Sequence, residues 1–207
     1  MLATILTVIA ATYLFVGLLV LAPRKAGYRQ LTHTISEVGE RGAPDQRIVA
    51  LGLFLPIGLL LLLVAYLVRP VSGASAVLAL CIAVGYLGAA AFPCDPGSPA
   101  SGSASQGLHN LAGAVEYIGG GFALITLAEL LGQSFALAGY VVLGAAVALS
   151  FIPANMVRGL VQRVAEVCLF GGLTLAIIEG FVLFDALGDP TPRTIALAGL
   201  THAGLSR

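Results

Sequence analysis

The side chains able to do chemistry are few in this chain and fall in short, separated segments. The first reads Thr32-His33-Thr34-Ile35-Ser36-Glu37-Val38-Gly39. As a helical turn it puts His33 and Glu37 at i and i+4, on one face. The second, Phe92-Pro93-Cys94-Asp95-Pro96-Gly97, is a proline-framed turn with a carboxylate at its apex. The third opens Gly107-Leu108-His109-Asn110 and continues to Glu116. His109, Gly113 and Glu116 stand at i, i+4 and i+7 and so line one stripe of a helix. A fourth group, Arg158, Gln162 and Glu166, repeats at i, i+4 and i+8 with Arg163 beside it.

Two imidazoles with carboxylates suit a divalent ion such as Zn²⁺, held by His33, His109 and Asp95 with Glu37 and Glu116 near, and with a position open for an activated water. At a membrane face such a centre would hydrolyse a lipid ester, amide or phosphodiester. No close-set H-E-x-x-H signature is present, and the ligands come from three segments. Without a metal, His109 and Asp95 form an acid–base pair with Glu37 close by and Ser36 as the nucleophile. Arg158 and Arg163, with Glu116, are the candidates for binding a lipid headgroup. Plainer roles compete with each of these. Asp95 and His109 would cap the helix that follows and tie its loop down. Glu116 would bridge helices through a hydrogen bond, and the Arg158–Glu166 stripe would pair its charges along the helix surface. Glu129, Glu179 and His202 lie apart from these groups, near span ends or in the tail.

The elements that must position these residues are set by composition. Of the 207 residues 58% are hydrophobic and 10% charged, with a mean hydropathy of +1.00. Soluble domains carry roughly 25% charged residues, so a water-soluble globule is excluded. Ten basic residues balance ten acidic ones, which leaves no excess for gripping nucleic acid. Three scattered cysteines make neither a disulfide framework nor a zinc site. A bilayer core needs ~20 apolar residues of helix. Six stretches qualify, at about 1–22, 48–68, 71–92, 107–131, 135–152 and 163–184, followed by a tail over 185–207. The expected fold is an all-α bundle of six transmembrane helices in the cell (inner) membrane. The first stretch lacks a basic leader and a clean cleavage site, so it reads as a retained span.

With six spans, the first, third and fifth loops share one side of the membrane, which is where the chemical residues gather. Counting Arg163 at the mouth of span six, those loops hold seven of the ten basic residues, and the positive-inside rule places them in the cytoplasm. Gly85-x-x-x-Ala89 and Gly144-x-x-x-Ala148 are small pairs that let helices approach. With no Trp, interfacial anchoring falls to tyrosines such as Tyr28 and Tyr66.

Thr34-Ile35-Ser36-Glu37-x-Gly39 after span one, Phe92-Pro93-x-Asp95-Pro96 after span three and Gly107-x-His109-Asn110 together carry a family likeness. The chain resembles a bacterial and archaeal family of six-span membrane proteins known only as a domain of unknown function. The Ile-Ser-Glu-x-Gly element is also similar to the first loop of the Frag1/DRAM/Sfk1 group of eukaryotic six-span proteins, some of them linked to GPI-lipid remodelling or autophagy. The resemblance implies six helices and a site built at one membrane face by loops one and three; in the eukaryotic group that face is exoplasmic, opposite to the charge count. It implies no activity. Two functions fit. The compact, nearly loop-free build favours a non-catalytic accessory subunit that packs against other integral subunits of a larger complex. The gathering of ionisable groups on one face favours a protein that binds or modifies membrane lipids.

Overall fold

The computed structural model describes residues 1–153 and 156–188, with side chains to Leu183. The C-terminal piece expected to lie along the interface, and His202 in it, fall outside the described residues. Among the described residues there are six long helices and no strand. They are α1 (Leu2–Leu21), α2 (Gln46–Val68), α3 (Gly73–Ala91), α4 (Ala104–Leu131), α5 (Gln133–Phe151) and α6 (Arg158–Gly188). All six are long and apolar enough to cross a membrane. The protein is a multi-pass membrane protein of all-α fold.

The helices are apolar on every side, which marks them as lipid-immersed. Inward-facing leucines and isoleucines such as Leu14, Ile57, Leu61, Ile82, Leu124 and Leu169 are fully buried. Leu19, Leu62, Leu130 and Leu137 face outward. Water gives no drive to pack such helices inside a bilayer, so association rests on close backbone approach. Gly121 of α4 and Gly139 of α5 supply one such crossing: a Cβ on Gly121 would lie 3.2 Å from the Gly139 carbonyl oxygen. Gly88 of α3 meets Ala112 of α4 in the same way. Consecutive helices pack as antiparallel neighbours, and α6 closes the bundle against α5, α1, α4 and α3.

Two helices contain a wide, π-helical turn, at Val49–Phe54 of α2 and Val115–Gly119 of α4. The α4 turn carries Glu116 and Tyr117. The helix α6 begins at Arg158, five residues before the apolar stretch that marks it in the sequence, so Arg158 and Gln162 are helical. Below the Gly121–Gly139 crossing α5 packs along Gly120–Leu131, and above it α5 parts from Ala104–Ala114. That splay leaves a space at the end of the bundle where loops one and three and the α5–α6 connection meet.

Candidate functional site

Loop one folds into this end of the bundle through its own hydrogen bonds. Ser36–Gly39 forms a short 3₁₀ turn, and Glu37 closes it by accepting from the Thr34 N–H (2.8 Å) and hydroxyl (3.0 Å). Glu37 is thereby buried beneath the turn. His33 lies before the turn, so the two do not share a face. Its Nδ1 accepts from the Arg29 N–H (3.0 Å), and its ring stacks on Tyr28 at 5.2 Å. Tyr28 is an internal strut, donating to the Thr34 carbonyl (2.9 Å) and accepting from Arg163 (2.8 Å). Burial raises the Tyr28 hydroxyl's pKa, with the Arg163 guanidinium pulling it the other way. Tyr66, by contrast, is exposed on α2.

Loop three is tied to loop one and to the start of α4. Ser103 caps α4, its hydroxyl accepting from the Gln106 N–H at 3.2 Å. Asp95 accepts from the Ser103 N–H (2.7 Å) and hydroxyl (2.8 Å), with Arg41 at 3.4 Å. Those two hydrogen bonds, then Arg41, hold the Asp95 carboxyl below the usual range. The His109 Nδ1 donates to the Phe92 carbonyl at 2.9 Å, which leaves Nε2 of the neutral ring as an acceptor. Cys94 is buried against the Ser36 carbonyl. Burial first, then the nearby Glu40 and Glu37, pushes its thiol up to about 12.

The stripe on α6 reaches across the bundle at each step. Arg158 donates to the carbonyls of Gly97 (3.0 Å) and Ser98 (2.8 Å). Gln162 accepts from the Ile35 N–H (2.7 Å) and donates to the Tyr117 hydroxyl (3.0 Å). Glu166 accepts from Tyr117 (2.6 Å) and Tyr86 (2.8 Å). All three side chains are buried. They do not pair with one another along the helix surface, because their hydrogen bonds go to loop three, loop one, α3 and α4. Arg163 donates to the His33 carbonyl (3.1 Å) and to Gln30, so it binds loop one. Glu129 and Glu179 are exposed and take no part.

These contacts enclose a cavity of about 290 Å³ between α3, α4, α5, α6 and the two loops. His109, Gly113 and Glu116 line it from α4, as their spacing implies, and Arg158 and Gln162 line it from α6. Ser36, Thr34 and Ser98 form part of its polar roof, while Ala89, Ile118, Ala146 and Leu149 give it an apolar side. Ile118 and Ser150 are themselves exposed, so the cavity opens sideways between α4 and α5. Asp95, Glu37, His33 and Arg163 lie outside its walls. Among the described residues no three His, Cys, Asp or Glu side chains converge as a metal centre would need. One of the two tyrosines around Glu166 has a signal in the sequence: Tyr117 sits mid-span, away from the interface where tyrosine usually anchors.

A family model described as "Protein of unknown function (DUF998)" matches residues 8–179. The chain belongs to the DUF998 family. The matched region takes in every cavity-lining residue and the whole Arg158–Gln162–Glu166 stripe, so the site lies inside the DUF998 domain. No curated protein and no solved structure matches the chain.

Proposed function

We propose that this DUF998 protein binds the polar headgroup of a membrane lipid in the cavity at the loop-bearing end of its helix bundle. The observation that carries the reading is the cavity's two-sided lining. Charged and polar groups from Arg158, Gln162, Glu116 and His109 face an apolar side made by Ile118, Ala146 and Leu149. Its volume of about 290 Å³ suits a headgroup, being at the lower edge of the ~300–1,000 Å³ typical of small-molecule pockets. The acyl chains would lie outside, along the opening between α4 and α5. Binding is favoured over hydrolysis because Asp95 and Glu37, the acidic partners the sequence offers to His109, lie outside the cavity and are committed elsewhere. Asp95 is held by Ser103 and Glu37 by Thr34.

Native mass spectrometry of the protein released gently from its own membrane tests the proposal. A stoichiometric lipid adduct is expected. A Cβ on Gly113 would meet nothing within 4 Å, so Gly113→Leu fills the cavity without disturbing the backbone. That variant should fold and carry no lipid. Undiminished lipid on Gly113→Leu would overturn the reading. So would a lipid-free native protein that travels with other integral subunits, which is the result an accessory subunit gives.

A further inference from the structure

Two ionisable side chains lining this cavity have atoms left without a partner. The Glu116 Oε1 is buried and accepts no hydrogen bond, and Glu116 as a whole is 6% exposed. The Arg158 Nε is likewise buried and donates to nothing among the described residues; Arg158 is 7% exposed. Its other two nitrogens grip the Gly97 and Ser98 carbonyls, which fixes the guanidinium in place without neutralising it. The ion pairs among the described residues are Arg24–Asp45, Lys25–Glu40 and Arg41–Asp95, so Glu116 and Arg158 are not within pairing distance of each other. A buried polar atom without a partner is costly, and a ligand entering the cavity can supply one.

A purely anionic ligand would satisfy Arg158 and leave Glu116 facing it. A purely cationic one would do the reverse. Resting on the lipid-binding reading, we infer that the cavity selects a zwitterionic headgroup: a phosphate at Arg158 joined by a short linker to a primary ammonium at Glu116. Depth agrees with that order. Arg158 is the first residue of α6, and Gln162, one turn or ~6 Å further along that helix, meets Tyr117 beside Glu116, so Glu116 stands about one turn deeper than Arg158. The ammonium therefore enters first and the phosphate stays near the surface. An ammonium with N–H groups meets the unfilled acceptor on Glu116. A quaternary ammonium has none to give, and the aromatic cage such groups use is absent: Tyr117 is the one tyrosine on the cavity wall, with its hydroxyl already engaged by Gln162 and Glu166.

Isothermal titration of the full chain in detergent micelles tests this with short-chain dihexanoyl phosphatidylethanolamine, phosphatidylcholine and phosphatidylglycerol, and with free O-phosphoethanolamine. Phosphatidylethanolamine should bind at least tenfold more tightly than either of the other lipids. Glu116→Gln, which keeps the side chain's shape, should abolish that preference and leave phosphatidylglycerol binding undiminished. Phosphatidylglycerol or phosphatidylcholine binding as well as phosphatidylethanolamine would overturn the zwitterion inference while the lipid reading stands. Free O-phosphoethanolamine binding as tightly as its lipid would support the zwitterion and overturn the lipid source. A folded native protein that takes up none of the four probes would overturn both. Should Glu116→Gln fail to fold, the native ranking of the probes decides the question alone.

Discussion

Gly159→Ala is the sharpest test of how the site is held. Gly159 lies in the first turn of α6, directly against loop one. A Cβ there would clash with the carbonyl oxygens of Gln30 and His33 and lie 2.9 Å from the Leu31 carbonyl carbon. These are backbone atoms and cannot swing aside, so α6 and loop one must separate. Overpacking of this kind costs ~1–3 kcal/mol. Separation also weakens the Leu160 N–H bond to the Leu31 carbonyl (2.9 Å) and the Ile35 N–H bond to Gln162 (2.7 Å). Each of these is worth ~0.5–1.5 kcal/mol. Against this, alanine is favoured over glycine in a helix by roughly 0.5–1 kcal/mol. The net loss is about 3 kcal/mol, which for a chain of this size lowers Tm by roughly 6–12 °C. Circular dichroism of the detergent-solubilised protein measures it. Gly171→Ala on the same helix is the control, since a Cβ there meets nothing within 4 Å and should stabilise by ~0.4–1 kcal/mol. If Gly159→Ala melts at or above the native temperature while Gly171→Ala behaves as stated, loop one is not clamped to α6 and the cavity loses its roof.

Three further outcomes follow from the hydrogen bonds. Tyr117→Phe strands both the Gln162 amide and one Glu166 oxygen, whereas Tyr86→Phe strands one Glu166 oxygen only. At ~1–3 kcal/mol for each unmet buried group, thermal melts should show about twice the loss for Tyr117→Phe, and equal losses would refute the chain of contacts. The Asp95 carboxyl is held below its ordinary value, so its stabilisation is present above the unfolded-state value of ~3.9 and disappears as pH falls through the folded-state value. The Tm gap between the native protein and Asp95→Asn should therefore narrow from pH 7 towards pH 3, and a constant gap would contradict it. With its thiol near 12, Cys94 is roughly one part in 10⁴ thiolate at pH 8, so in a Cys81→Ser, Cys168→Ser background a maleimide should label it only on unfolding; rapid labelling of that folded chain would refute its burial.

The six spans are legible in the sequence because lipid demands a run of apolar residues and tolerates almost nothing else there. The His109–Gly113–Glu116 stripe is legible for a related reason: a helix whose exterior is lipid confines its few polar groups to one inward line. Where spacing misleads is across helices. His33 and Glu37 share a face only if loop one is an α-helical turn, and the Thr34–Glu37 hydrogen bonds make a tighter turn that begins after His33. Arg158, Gln162 and Glu166 read as a pairing surface stripe because one helix seen alone offers them no other partners. Those partners, Gly97, Ile35 and the two tyrosines, stand 45 to 127 residues away along the chain in the hydrogen bonds that matter most. No local rule reaches that far. The cavity itself is legible nowhere, since it is a consequence of the angle at which α4 and α5 cross at Gly121 and Gly139.

The two π-helical turns account for how a bilayer-embedded protein can sustain so polar a centre. A π-turn widens the helix and loosens its hydrogen-bond ladder, a cost that in lipid must be met from neighbouring groups because no water is at hand. In α2 the hydroxyl of Tyr13 from α1 bonds to the Gly52 carbonyl within the turn. What each wide turn gains is the placement of a side chain that a regular helix would rotate away. Phe54 from the α2 turn meets Tyr86 edge-on at 5.8 Å, and Phe170 of α6 meets the same ring at 6.0 Å. Tyr86 so braced holds one oxygen of Glu166, and Tyr117 from the α4 turn holds the other. The α4 turn at the same time brings Glu116 over Gly85, where any side chain would push the carboxyl out of the cavity. Both irregular turns thus converge on one pair of carboxyls, Glu166 satisfied and Glu116 left open.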